Sequence, residues 1–401
     1  MSDQKRLFLL DAYALIFRGY YALIKNPRIN SKGMDTSAIM GFMNSLFDVI
    51  KREKPDHLAV AFDKGGSVER TEMFEDYKAN RDETPEAIKI AVPYIQKILD
   101  AMKIPVVELE GYEADDLIGT LAKQAEKENY KVFMVTPDKD FGQLVSENIF
   151  MYRPARMGNG IEIWGIPEIQ KRFGVERPEQ VIDYLGMMGD ASDNIPGLPG
   201  VGDKTAKKFL ADFGSMEGLL ANTEQLKGKM KEKVEQNAEL GRLSRKLAEI
   251  KIDCDVTFNA DDFEMCAPDS EKVQEVFEEL EFRRLKEQFI KIFSGEAEPS
   301  TPVTSTPTAK QEAKLAGSGQ FTLFGGDPAE AAATITDVNS RKTVKEVPHF
   351  YQMIENGLGL KLFMDKLMAQ PSVCFDTETT SINPLEAELV GVAFSWSSGK
   401  G

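Results

Sequence analysis

Apolar runs that end on a carboxylate recur through the first part of the chain. RLFLLD, closing on Asp11, and HLAVAFD, closing on Asp63, each predict a short buried strand, because continuous runs of this kind fit the centre of a parallel sheet. IPVVEL predicts a third strand and YKVFMVT a fourth, stopped by a Thr-Pro turn. NIFMYR and IEIWGI flank Asn159-Gly160, a dipeptide suited to a type I′ hairpin turn at a sheet edge. Between strands the period changes to a helical one. Residues 36–53 carry a stripe of Ile39, Phe42, Met43, Leu46 and Ile50, and the segment after Glu113 carries Ala114, Leu117, Ile118, Leu121 and Ala125. Strands alternating with helices predict an α/β fold with a mostly parallel central sheet flanked by helices.

Two stretches break this pattern. Residues 64–100 open on a polar, charge-rich excursion in which Lys78 and Arg81 follow Tyr77; it reads either as a solvated segment or as a basic lid, with Tyr77 or Tyr20 stacking on bases. Residues 181–210 contain GLPGVGDKTAKKF, a tight Gly-rich hairpin leading into a helix that starts near Lys204. Small residues there let backbone N–H groups approach a phosphate, and a helix N-terminus favours the anion.

At 401 residues the chain has room for two or three domains. Its net charge of -16 argues against a nucleic-acid partner, unless much of the acidity is gathered in a pocket that a cation neutralises. Cys254, Cys266 and Cys374 form no CxxC pair, and His57 and His349 are the only imidazoles, so zinc and disulfide chemistry are disfavoured. The LFLL run is interrupted by Asp11, and no apolar stretch approaches about 18 residues. A soluble, reducing, cytosolic setting without membrane contact is expected.

The acidity is indeed gathered. Glu113, Asp115 and Asp116 open a helix, Asp138 and Asp140 follow a strand, Asp190 and Asp193 precede the Gly-rich hairpin, and Asp11 and Asp63 end strands. A helix dipole accounts for one or two of these. Two like charges about 4 Å apart repel by roughly 4 kcal/mol at an effective dielectric near 20, so a larger cluster needs cations or raised pKa values. Oxygen donors without His or Cys point to Mg²⁺ or Mn²⁺.

Asp11, Asp63, GYEADDLIGTLA, TPDKDFGQLV and MMGDASDNIPGLPGVGDKTA, in this order, resemble the 5′-nuclease domain of bacterial DNA polymerase I, which is related to the flap endonucleases. The resemblance covers roughly residues 5–290. It implies that all nine carboxylates named above hold two divalent ions, and that YKANR is a basic helical-arch motif whose Lys78 and Arg81 contact the scissile phosphate. It also implies that Gly200, Val201, Gly202, Lys204 and Thr205 belong to a helix-hairpin-helix that grips duplex DNA, with a monovalent cation there, and that Arg18, Tyr20 and Tyr77 touch DNA. The expected activity is 5′-3′ exonuclease and flap-endonuclease hydrolysis of DNA flaps and RNA primers in replication and repair, by a monomer in the bacterial cytoplasm at the nucleoid. A non-cleaving branched-DNA-binding module and a phosphatase using Asp11 as nucleophile are the alternatives.

The expected domains are a nuclease core over 1–180 with an arch at about 64–100, a hairpin subdomain with C-terminal helices over 181–293, and a flexible linker over 294–344. Residues 345–401 resemble the truncated start of a 3′-5′ exonuclease, with Asp376 and Glu378 as ligands only in an intact protein. Within the linker, Gln320 to Phe324 (QFTLF) is an apolar cluster that resembles a sliding-clamp-binding peptide.

Overall fold

A computed structural model describes residues 4–154, 160–293, 357–370, 373–380 and 389–395. Its main sheet is built from β1 (Arg6–Asp11), β2 (His57–Ala61), β3 (Val106–Val107), β4 (Lys131–Val135), β5 (Ile149–Arg153) and β6 (Glu162–Trp164). The order across the sheet is β3-β2-β1-β4-β5-β6, parallel throughout except for the antiparallel β5–β6 pair. β1 thus sits between β2 and β4, and the chain departs to one side of it before returning on the other. The connections diverge at the carboxyl ends of β1 and β4, where an open α/β sheet leaves a crevice. Asp11 is the last residue of β1, and Asp138 lies just beyond β4.

Strand alternation divides the apolar side chains between two cores. Leu7, Leu9, Val132 and Met134 face one side; Phe8, Leu10, Phe133 and Val135 face the other. Five helices precede β4: α1 (Ala12–Leu23), α2 (Ser37–Glu53), α3 (Val68–Met73), α4 (Glu86–Ala101) and α5 (Ala114–Lys127). α1, α2 and α4 cover the Phe8 face, and α5 covers the Leu7 face. Next come α6 (Ile166–Phe173), α7 (Gln180–Met188), α8 (Asp203–Phe213), α9 (Met216–Ala221), α10 (Gly228–Gln236) and α11 (Ala238–Ala248), which extend the Leu7-side core. After α12 (Ala260–Phe263) the chain returns to the other side. There α13 (Ser270–Glu279) and α14 (Arg283–Phe293) bury Val273, Phe277 and Phe289 against α2 and α4.

The edge hairpin forms with Arg153 opposite Glu162, and the expected Asn159-Gly160 turn lies partly outside the described residues. Two expectations change. The IPVVEL strand pairs only through Val106 and Val107. The polar excursion ends near Pro85: α4 buries Ile88, Ala91, Ile95 and Ile98 completely, so this helix belongs to the core and not to an arch reaching residue 100.

The chain divides into two compact units, Met1–Pro302 and Val303–Gly401. In the second unit a helix spans Gly357–Met368, and Cys374–Thr379 pairs antiparallel with Leu389–Ser395, placing Asp376 opposite Ala393. Asp376 is exposed. The Gln320–Phe324 segment and the expected linker lie outside the described residues. Among those described, no helix is long and apolar enough to cross a membrane.

The crossing of α1 and α2 fixes where Asp11 sits, because Asp11 is the N-cap of α1 and accepts the Ala14 N–H. Gly19 and Gly41 meet there so closely that a Cβ on residue 41 would lie 2.3 Å from the Gly19 Cα. Backbone on both sides leaves no flexible group to yield. Gly41→Ala should therefore separate the helices and cost roughly 1–3 kcal/mol in urea denaturation. A change within about 0.5 kcal/mol, the size of an ordinary surface substitution, would show that the close approach is dispensable.

Candidate active site

The expected carboxylates do gather at the carboxyl edge of the sheet, but they fall into two electrostatic classes. Asp11 is buried and accepts hydrogen bonds from the Ala14 N–H and the Thr136 hydroxyl, each at 3.0 Å. Burial foremost, and then the charges of Asp63 and Asp138, push its pKa up to about 7, against the lowering effect of those two hydrogen bonds. Asp63 accepts the Ala114 N–H at 2.8 Å, which ties the end of β2 to the start of α5. Burial raises its pKa too, with Glu113 adding to the effect. Asp115 is held well above the ordinary carboxylate range by burial, then by Asp11, Asp138 and Asp63, with Lys78 opposing this only in part. Asp138 accepts the Asp140 N–H at 3.0 Å. None of these four has an ammonium or guanidinium within salt-bridge distance among the described residues.

The other five each have a cation. Arg70 is 5% exposed and spends every N–H it has. Nη1 donates to Glu113 Oε2 at 3.1 Å and to Asp116 Oδ2 at 2.8 Å, Nη2 to Asp116 Oδ1 and the Glu249 carbonyl at 2.7 Å each, and Nε to the Leu247 carbonyl at 3.1 Å. Asp116 also accepts the Lys251 N–H at 2.9 Å. With both oxygens engaged and no exposure, Asp116 ties the start of α5 to Arg70 and the Lys251 backbone. Glu113, the N-cap of α5, takes Lys78 Nζ at 2.6 Å and the Tyr77 hydroxyl at 3.1 Å in addition to Arg70. Asp193 pairs with Arg81 at 2.6 Å and with Lys78 at 3.5 Å. Lys139 bridges Asp190 and, at 3.3 Å, Asp140.

Burial pushes the Asp140 pKa up to about 7, Asp138 adds to this, and Lys139 only partly opposes it. One Asp140 oxygen is buried without a hydrogen-bond donor. As placed, no three His, Cys, Asp or Glu side chains among the described residues converge on a single ion position. The donor set nevertheless fits a hard divalent cation: several desolvated, mutually repelling carboxylates and an orphaned oxygen.

The basic turn is built differently from a lid. Lys78 has φ 58°, and its N–H donates to the Asp193 carbonyl at 2.9 Å. Burial alone would lower the Lys78 pKa, but Glu113 and Tyr77 raise it well above the ordinary lysine value. Tyr77 is buried beneath the Lys78 ammonium, 5.0 Å from ring centre to Nζ, and so offers no face to a base. That corrects its expected stacking role. On α1, Arg18 and Tyr20 are partly exposed, and Tyr20 packs edge-on against Tyr21 at 5.3 Å.

The Gly-rich segment forms a tight connection between α7 and α8. Gly200 has φ +87°, Val201 is buried with its N–H on the Leu198 carbonyl, and Gly202 caps α8, which starts at Asp203. Lys204 is exposed beside this cap, and Thr205 is partly so.

Residues 6–174 match the family described as 5′-3′ exonuclease, N-terminal resolvase-like domain, and residues 176–271 match 5′-3′ exonuclease, C-terminal SAM fold. A 5′-3′ exonuclease of Aquifex aeolicus is 38% identical over 289 residues, which is 72% of this chain and 96% of that protein. The chain belongs to the 5′-3′ exonuclease family. DNA polymerase I of Bacillus caldotenax is 39% identical over 305 residues, 76% of this chain but 34% of that protein, so the chain spans about a third of such relatives. In structure, the flap endonuclease of bacteriophage T5, solved with DNA and metal ions, matches with a TM-score of 0.51 at 20% identity over 72% of this chain and 100% of that one. The Rad2 catalytic core, solved with DNA substrate, matches at 0.50 and 16% identity over 72% and 93%. At these identities the likeness is one of fold.

For this member of the exonuclease family, sequence reasoning missed Arg70, Lys139 and Thr136. Arg70 lies in the polar excursion, where nothing local marks it as buried; Lys139 stands between two aspartates and could have been noticed. The two classes of carboxylate respond oppositely to neutralisation. Asp115→Asn should leave the metal-free melting temperature unchanged or raised, since it relieves repulsion. Asp116→Asn should cost about 3–5 kcal/mol by stripping a buried Arg70 of its partner. A comparable loss for both in EDTA would contradict the division.

Proposed function

We propose that the chain is a structure-specific, divalent-metal-dependent nuclease that cleaves phosphodiester bonds at 5′ ends and flaps of branched DNA and at RNA primers on DNA. The observation that carries this reading is the set Asp11, Asp63, Asp115 and Asp138: four carboxylates from separate segments in the crevice at the sheet's carboxyl edge, without a salt bridge among the described residues, the first three with pKa values raised foremost by burial. Asp140, with its unpartnered oxygen, extends the set. Two Mg²⁺ or Mn²⁺ ions bound there would supply an activated water for in-line attack and stabilise the leaving oxygen.

The chain's own residues do the rest. Thr136 and the Ala14 N–H fix the orientation of Asp11, and the Ala114 N–H fixes that of Asp63. Lys78 and Arg81, held as internal counter-ions of Glu113 and Asp193, turn to the scissile phosphate and offset charge as it develops. The hairpin around Gly200 and the N-terminus of α8 meet duplex phosphates through backbone N–H groups, without reading sequence, and hairpin carbonyls take a monovalent cation. A monomer acting in the bacterial cytoplasm as part of a DNA polymerase I, with the clamp contact at Gln320–Phe324, belongs to the same proposal. The phosphatase alternative is disfavoured, because both Asp11 oxygens are hydrogen-bonded and its raised pKa leaves it a poor nucleophile near neutrality.

Flap cleavage with Mg²⁺ against EDTA is the direct test, and a non-cleaving binding module would show no difference. Two variants separate chemistry from grip. Lys78→Ala should lower the single-turnover rate on the order of 10²-fold with little change in flap-DNA affinity. Gly200→Val, at φ +87° and with Lys233 Nζ 2.9 Å from a built Cβ, should weaken duplex binding instead. Equal losses of binding for both would remove the division between turn and hairpin.

A further inference from the structure

Three basic features lie outside the assigned roles: the Arg70 hub, the exposed lysines near Gly200, and Lys139. Arg70 explains architecture, and the lysines near the hairpin are ordinary surface charge. Lys139 carries more.

It lies between Asp138 and Asp140 in TPDKDF, just past β4, and its side chain is 35% exposed. Its ammonium hydrogen-bonds Asp190 Oδ2, on the loop before the Gly-rich hairpin. The same ammonium stands 3.3 Å from Asp140 Oδ1, yet that oxygen is buried and receives no hydrogen bond from it or from anything else. Ser192 adds two donors to Asp190, its N–H at 2.8 Å and its hydroxyl at 2.5 Å. One cation therefore serves two carboxylates unequally, satisfying Asp190 and leaving Asp140 facing a charge in poor geometry. A flexible, strongly hydrated ammonium tolerates such an arrangement and can be exchanged. By contrast, the Arg70 guanidinium is locked on five acceptors.

We infer that Lys139 is a built-in counter-cation that occupies the Asp140–Asp190 pair and competes with a divalent ion for it. This rests on the metal-dependent reading above. The exchange keeps the metal-free site from bursting apart by charge repulsion, and it sets the affinity of the outer ion low by requiring an ammonium to leave. Once displaced, the ammonium is a mobile positive charge at the mouth of the crevice, on the side facing the hairpin loop.

The test is calorimetric titration of Mn²⁺ into the full chain and into Lys139→Met, Lys139→Gln and Lys139→Arg, with melting temperatures in EDTA alongside. Competition predicts that the weaker Mn²⁺ step tightens about tenfold in both neutral variants, or about 1.4 kcal/mol. It also predicts that Lys139→Arg keeps the original affinity and that the neutral variants melt lower without metal. Should Lys139→Met fail to fold in EDTA, Lys139→Gln, which retains a hydrogen-bond donor, supplies the same comparison. Unchanged or weaker Mn²⁺ binding in the neutral variants would overturn the inference and make Lys139 a positioning residue for Asp190. No Mn²⁺ heat and no Mn²⁺-dependent melting shift in the original chain or any variant would overturn the metal-dependent reading itself.

Discussion

Like charge gathered where water is scarce is the constraint on which this structure turns. Nine carboxylates meet at or near the carboxyl edge of one parallel sheet, and the protein compensates them by two different means. Glu113, Asp116, Asp190 and Asp193 are matched by Arg70, Lys78, Arg81 and Lys139. Asp11, Asp63 and Asp115 are left with raised pKa values and, among the described residues, without a salt bridge. A fold that can bury an arginine on five acceptors for one helix cap could have neutralised the remainder in the same way. That it does so selectively divides the acids into a paired set and an unpaired one.

The scaffold explains how the uncompensated set is assembled. β1 lies between β2 and β4, so three strand ends bring Asp11, Asp63 and Asp138 to one crevice, and the start of α5 adds Asp115. The Asp63 contact to the Ala114 N–H joins two of these elements directly. On the far side, the basic turn and the 190–194 loop are sewn together. Lys78 N–H reaches the Asp193 carbonyl at 2.9 Å, while Asn80 reaches the Ala191 carbonyl and Asn194 the Asp76 carbonyl, each at 2.7 Å. The residues expected to touch the scissile phosphate are thereby coupled to the loop that leads into the Gly-rich hairpin.

Much of this was legible in the sequence because the relevant signals are local. Runs such as RLFLLD and YKVFMVT announce buried strands, and the stripe from Ile39 to Ile50 is the buried face of α2. The acidic residues were visible as a set, but their division was not, since it depends on partners far away in sequence: Arg70 meets Asp116 across 46 positions, and Lys139 meets Asp190 across 51. Tyr77 looked like a stacking residue because it neighbours two basic residues, whereas its burial comes from packing against the Leu7-side core.

In the proposed reading, Asp11, Asp63, Asp115 and Asp138 bind a divalent cation. Scanning calorimetry of the unaltered chain at constant ionic strength tests it most directly, with EDTA compared against rising Mn²⁺. Ligand linkage predicts a melting temperature that climbs with the logarithm of Mn²⁺ concentration, equivalent to about 2.7 kcal/mol at a hundred times the dissociation constant. A melting temperature indifferent to Mn²⁺, or one raised equally by a monovalent salt, would contradict it.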